Sequence, residues 1–132
     1  MTAGSGAVVA GPVEADVLVV DDEEDVRQSI AGILRTAGFS VKEAEDGAVA
    51  YGLLRQHRYG MVLLDIRMPK LDGVTLIETL GELPPVVVHS AFSLSAEERD
   101  RLGVKVVQYL HKPVSPQELL SAVGGALGTG AA

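Results

Sequence analysis

Short runs of Val and Leu recur along the chain. Each is followed by a stretch in which apolar residues return every three or four positions. The first run, residues 16–20, is continuous rather than alternating, as in a strand buried on both faces. After it Val26, Ile30, Ile33, Leu34 and Ala37 share one helical face, and Gly38 offers a left-handed stop. Residues 39–44 read as a second strand. Asp46 can cap a second helix that turns Val49, Ala50, Leu53 and Leu54 inward. Gly60 breaks the chain before a third strand, 61–64. Pro69 and Asp72-Gly73 mark a loop before a short third helix with Val74, Ile77 and Leu80 inward. Pro84-Pro85 opens a fourth strand, 86–89. Ser95 and Glu98 have capping-box spacing and start a fourth helix; residues 105–110 form a fifth strand. Ser115 and Glu118 repeat the box with Pro116 at the first helical position. The helix they open turns Leu119, Leu120, Val123 and Leu127 inward. This alternation predicts the α/β class: five parallel strands with helices on both faces.

Three of the apolar runs end in charge. The first leads into Asp21-Asp22, the third into Asp65, and the fifth into Lys112-Pro113. In an open parallel sheet the carboxyl ends of the strands form one edge, where ligands bind. That edge would gather three carboxylates and one ammonium, a costly cluster unless a divalent cation and an anion complete it. Each element has a plainer reading. The acidic run 21–25 is also what a helix N-terminus favours, which accounts for Glu24 and Asp25 better than for Asp21 and Asp22. Asp65 could simply start a turn. As a nucleophile, it could attack phosphorus and form an acyl phosphate. Lys112 could be solvated surface. Facing the edge, it could pair with an Asp in the empty site and with a phosphoryl oxygen in the filled one. Ser90 could satisfy a loop amide or donate to the same phosphoryl group. All four on one edge favour the functional reading. Oxygen ligands of this type suit Mg²⁺ or Mn²⁺.

Bulk properties narrow the class. The chain has 132 residues, 47% hydrophobic and 22% charged, enough for one domain with one core. Net charge is −7, which disfavours direct nucleic-acid binding. The absence of cysteine excludes a thiol nucleophile, a thiolate metal site and a disulfide framework. No apolar stretch approaches the roughly 20 residues of a membrane span. Residues 1–15 read as a flexible tail without the basic start of a secretory signal, and 128–132 as a disordered Gly/Ala tail. These features lead us to expect a cytoplasmic, stand-alone domain spanning 16–127.

The motifs Asp21-Asp22, Asp65-Ile66-Arg67-Met68-Pro69, Asp72-Gly73, Ser90-Ala91 and Tyr109-Leu110-His111-Lys112-Pro113 together resemble the receiver domains of two-component response regulators. The resemblance implies a flavodoxin-like, doubly wound sheet of order 2-1-3-4-5 with five helices. It implies Asp65 as phosphoacceptor for a histidine kinase or phosphotransfer protein. Mg²⁺ would be held by Asp22, Asp65 and the Arg67 carbonyl, with Asp21 acting through water. Lys112, Ser90 and the backbone N–H groups of Arg67 and Ala91 would contact the phosphoryl oxygens. Ser90 and Tyr109 would form the switch, although Tyr109 could instead be a half-buried strand aromatic. The resemblance also implies a cis Lys112-Pro113 bond. Slow self-phosphorylation and self-dephosphorylation would be the only catalysis. The face of helix 4, strand 5 and helix 5 would serve a downstream protein or a homodimer.

Some positions depart from that pattern. Gly103-Val104 lies six residues before Tyr109, which predicts an early end to the fourth helix and a longer loop. The stretch from Asp65 to Ser90 is short, and Val114 follows Lys112-Pro113. His57, His89 and His111 lack metal-ligand spacing and read as structural or surface residues. The Arg67 side chain is read as solvated at the rim, with reach to a phosphoryl group or an acid as the alternative. Two other functions compete: a docking receiver that works without phosphorylation, and a metal-dependent phosphatase with an aspartate nucleophile. A flavin module needs a small-residue phosphate loop where the acidic run stands.

Overall fold

The computed structural model describes residues 11–68 and 71–128. Of the expected tails, 1–15 and 128–132, residues 1–10 and 129–132 lie outside the described residues, as does the expected loop residue Pro69. In chain order the elements are β1 (Val13–Val20), α1 (Glu24–Thr36), β2 (Val41–Ala44), α2 (Gly47–Gln56), β3 (Arg58–Asp65) and α3 (Gly73–Thr79). β4 (Val86–Ser90), α4 (Ala96–Leu102), a 3-10 turn (Gly103–Lys105), β5 (Val106–His111) and α5 (Pro116–Leu127) follow. All strand pairs are parallel, in the order β2-β1-β3-β4-β5. This is the flavodoxin-like arrangement, with a core on each face of the sheet.

Because side chains alternate along a strand, each apolar run supplies both cores. Leu18, Val20, Val62, Leu64, Val86 and Val88 pack with Ala50, Leu54, Leu76, Ile77 and Leu102 of α2, α3 and α4. Val17, Val19, Met61, Leu63, Val87 and Leu110 pack with Ile30, Leu34, Leu119 and Val123 of α1 and α5. The predicted caps form. Asp46, Ser95 and Ser115 accept from Val49, Glu98 and Glu118 N–H, and both capping boxes close reciprocally. Gly38 takes φ +100° beyond α1.

Several expected boundaries shift. β1 starts at Val13 rather than residue 16, because Ala15 is buried and pairs with Tyr59. β2 starts at Val41. Phe39 N–H is bonded to Leu34 O at the end of α1, which keeps it out of the strand. Gly60 lies inside β3 instead of breaking the chain before it. A Cβ there would come 2.6 Å from Leu127 Cδ2 and 2.7 Å from Asp16 O, so glycine serves close packing. Ala37 and Val49, expected inward, are exposed at the rims of their helices. Leu53, Leu120 and Leu127 are only partly buried. β4 extends one residue, to Ser90. α4 ends early, as predicted, and the 3-10 turn takes Lys105 from the expected strand. Lys105 Nζ instead donates to the carbonyls of Leu80 and Gly81 after α3.

Candidate functional site

The strand ends converge. Asp21 follows β1, Asp65 ends β3, Ser90 ends β4 and Lys112 follows β5. Lys112 reaches across the edge, its Nζ 2.9 Å from Asp21 Oδ2 and 3.1 Å from Asp65 Oδ2. Glu23 Oε1 is 3.6 Å from the same nitrogen. Asp21 is fully buried and Asp65 nearly so, whereas Asp22 is exposed. One carboxylate oxygen from each of Asp21, Asp22 and Asp65 lies within 4.8 Å of the others. Three hard oxygen donors with no soft ligand among them fit Mg²⁺ or Mn²⁺.

Backbone and side chains fix these acids. Asp21 Oδ1 accepts Glu23 N–H at 2.9 Å, and its carbonyl accepts Arg27 at 2.9 Å. Arg27 is in turn paired with Glu43. Asp65 Oδ1 accepts Arg67 N–H at 3.1 Å. Lys112 N–H donates to Ser90 O at 2.9 Å, and the Lys112-Pro113 bond is cis. Burial pushes the Asp65 carboxyl above its usual range, with Asp21 adding to the rise. Lys112 and the Arg67 N–H oppose it. Burial alone would lower the Lys112 amine, but its bonds and charge pairing with Asp21 and Asp65 leave it raised. Lys112 is therefore an ammonium at neutral pH, facing one acid whose negative charge is disfavoured.

Ser90 is buried, and its Oγ accepts Phe92 N–H at 3.1 Å, so the plainer loop role is filled while the hydroxyl proton stays available. Ala91 follows, exposed in the loop. Tyr109 is half-buried on β5, with the Arg99 guanidinium 4.1 Å from its ring centre. A cleft of about 150 Å³ joins Ser90 to Tyr109, lined also by Leu94, Arg99 and His111. Arg67 is not a free rim residue: its guanidinium meets Glu98 of α4 at 2.7 and 3.2 Å.

Comparison with known proteins agrees with this geometry. The family model described as the response regulator receiver domain matches residues 17–124. The chain belongs to that family. It is 39% identical over 116 residues to the transcriptional regulatory protein PrrA of Mycobacterium tuberculosis, covering 86% of this chain and 50% of that protein. It is 37% identical over 108 residues to the response regulator MprA of a Mycobacterium species, covering 80% of this chain and 47% of the relative. The chain thus spans about half the length of these curated relatives. A solved CheY-like receiver domain from Methanospirillum hungatei superposes with TM-score 0.77 at 32% identity, covering 86% of this chain and 94% of that one.

Three features of this receiver domain escaped the reading of the sequence. His89, on β4 opposite Asp65 in register, is buried with its Nε2 3.8 Å from Asp21 Oδ2. Neither ring nitrogen has a hydrogen-bond partner among the described residues. Burial first, then the Lys112 charge, lowers its pKa to about 4 against the pull of Asp21. Strand alternation could have flagged it, because His89 falls on the same face as buried Val87. Arg99 over Tyr109 and Glu98 against Arg67 are contacts across the fold without a local signal. His57 and His111 are a half-buried and an exposed residue, as read; His57 Nδ1 lies 3.6 Å from Glu14.

Proposed function

We propose that this receiver domain accepts a phosphoryl group on Asp65 from the phosphohistidine of a histidine kinase or phosphotransfer protein. The observation that carries this reading is Lys112 Nζ held at 2.9 and 3.1 Å between the carboxylates of Asp21 and Asp65. An Asp65 carboxylate oxygen attacks phosphorus, an O–P bond forms, and the P–N bond to the donor imidazole breaks. The imidazole leaves with the bonding pair and takes up a proton. Phosphoryl transfer asks a protein mainly for positioning and charge neutralisation. Lys112 is placed to leave Asp65 Oδ2 and pair with a phosphoryl oxygen. Ser90 Oγ–H and the N–H groups of Arg67 and Ala91 supply further donors. Asp22, Asp65 and the Arg67 carbonyl would hold Mg²⁺ or Mn²⁺, with Asp21 acting through water. The bound cation supplies the positive charge that lets two anions approach. The same donors support slow loss of the phosphoryl group to water, and slow self-phosphorylation from small donors.

Output follows from Ser90 and Tyr109. Ser90 turning toward the phosphoryl group vacates space in the 150 Å³ cleft, and Tyr109 turns into it. This alters the face of α4, β5 and α5 that a downstream protein or second copy reads. The domain acts in the cytoplasm through protein contacts, and no helix among the described residues is long and apolar enough to cross a membrane.

The test is intact mass after incubation with Mg²⁺ and acetyl phosphate. One base-labile phosphoryl group should appear, and none with EDTA or in Asp65→Asn. No adduct under any condition would favour phosphorylation-independent docking. Rapid turnover of diverse phosphate esters would favour a phosphatase.

A further inference from the structure

Among the described residues Asp21 Oδ2 has one good donor, Lys112 at 2.9 Å, and the carboxylate is wholly buried. When Lys112 swings from Asp65 Oδ2 to a phosphoryl oxygen and is drawn off Asp21 with it, Asp21 Oδ2 becomes a buried carboxylate oxygen without its donor, a costly arrangement. Oδ1, which already accepts Glu23 N–H, keeps a second lone pair for a cation-bound water, so Oδ2 is left to protein donors. The other basic side chain within 4.0 Å of that oxygen, among the described residues, is His89, with Nε2 at 3.8 Å. That distance is too long for a hydrogen bond. His89 is 1% exposed, and both its nitrogens lack hydrogen-bond partners among the described residues. An unpaired imidazole in a packed interior is itself unfavourable, so a state that gives it an acceptor gains stability. Facing a carboxylate, the neutral ring must carry its proton on Nε2, since the other tautomer would set lone pair against lone pair.

We infer that His89 is a positioning residue that takes over Asp21 Oδ2 when Lys112 turns to the phosphoryl group. This inference rests on the proposed phosphoacceptor role of Asp65. Closing about 0.8 Å, from 3.8 Å to the usual 3.0 Å, converts the contact to a charge-assisted hydrogen bond. The exchange keeps Asp21 oriented toward the cation after its lysine has gone. It also places the gain in the loaded state, because in the resting state neither His89 ring nitrogen has a hydrogen-bond partner among the described residues. A purely structural histidine would stabilise both states alike.

The experiment uses the full chain labelled with ¹⁵N-histidine, with the His89 ring assigned by its loss in His89→Asn. Spectra are taken before and after Mg²⁺ and acetyl phosphate, with intact mass on the same sample. The expected result is a protonated Nε2 in both states, with its proton shifting downfield once the adduct forms. An adduct with an unmoved His89 resonance overturns the inference and leaves the phosphoacceptor reading standing. No adduct removes both. Variants give a second reading. His89→Leu should fold at least as stably as wild type, because it removes an unpaired polar group. It should weaken Mg²⁺ binding about tenfold in the phosphorylated state, as expected from one lost charge-assisted bond. Binding to the unphosphorylated state should change less than twofold. His89→Asn, which keeps an N–H donor, should recover part of the loss. Equal weakening in both states, or identical behaviour of Leu and Asn, contradicts the exchange.

Discussion

Replacing Asp65 by Asn should make the metal-free protein more stable, although it removes a charge from an ion pair. In the wild type the nearest oxygens of Asp21, Asp22 and Asp65 lie within 4.8 Å of one another. At an effective dielectric of about 20, the repulsion between Asp65 and buried Asp21 costs roughly 3.5 kcal/mol at that separation, whereas exposed Asp22 is screened by water and adds little. The attraction to Lys112 at 3.1 Å returns roughly 5 kcal/mol on the same scale. Burial of the carboxyl, the leading cause of its raised pKa, costs on the order of 4 kcal/mol and turns the balance to about 2 kcal/mol against the charge. Asn keeps one oxygen for Lys112 and turns its NH2 toward Arg67 N–H, whose lost acceptor costs about 1 kcal/mol, so the expected gain is about 1 kcal/mol at neutral pH. The sign with pH follows from the raised carboxyl of Asp65. Between its unfolded and folded pKa values the folded state binds more protons, so wild-type stability falls as pH rises through that window. Below the unfolded value the carboxyl is neutral in both states, and wild type and variant should converge. The assay is urea unfolding followed by far-ultraviolet circular dichroism in EDTA, as a function of pH. Added Mg²⁺ should stabilise the wild type more than the variant and narrow the gap. A variant less stable than wild type at neutral pH without metal, or a gap that does not change with pH, would refute this reasoning.

Lys112→Met should do the opposite in EDTA, costing about 3–5 kcal/mol by leaving buried carboxylates uncompensated, with part of the loss recovered by Mg²⁺; a loss below 1 kcal/mol in urea unfolding would count against the account. Gly47→Ala should lower the thermal midpoint sharply, because its Cβ would sit 1.9 Å from the Leu71 carbonyl oxygen, and an unchanged midpoint would mean that α2 and the β3–α3 loop are not in that contact. Ser115→Ala should cost about 1 kcal/mol in the same unfolding assay by breaking the capping box of α5.

The parts that could be read from the sequence are those governed by local rules. Continuous Val/Leu runs predict strands covered on both faces, and both cores are built from them. The caps at Asp46, Ser95 and Ser115, and the left-handed Gly38, need only neighbouring backbone. The acids and lysine at strand ends were legible because parallel topology turns position along a strand into position on an edge. What was missed depends on partners distant in the chain. Gly60 looked like a breaker because glycine signals turns, yet Asp16 and Leu127 press against it. Lys105 leaves the strand pattern because carbonyls beyond α3 attract its amine. An acid partner for Arg67 was only the alternative and could not be named, because Glu98 lies 31 residues away. His89 looked like an ordinary strand residue because its environment is made by Asp21 and Lys112, brought in from other strands.

The most direct measurement is to locate the modification chemically. After treatment with Mg²⁺ and acetyl phosphate, borohydride reduces an acyl phosphate to an alcohol, so a phosphorylated aspartate becomes homoserine. Peptide mass mapping should then find homoserine at position 65 and aspartate retained at 21 and 22. Homoserine at 21 or 22, or unreduced aspartate at all three in a sample whose intact mass carries the adduct, would contradict Asp65 as the phosphoacceptor.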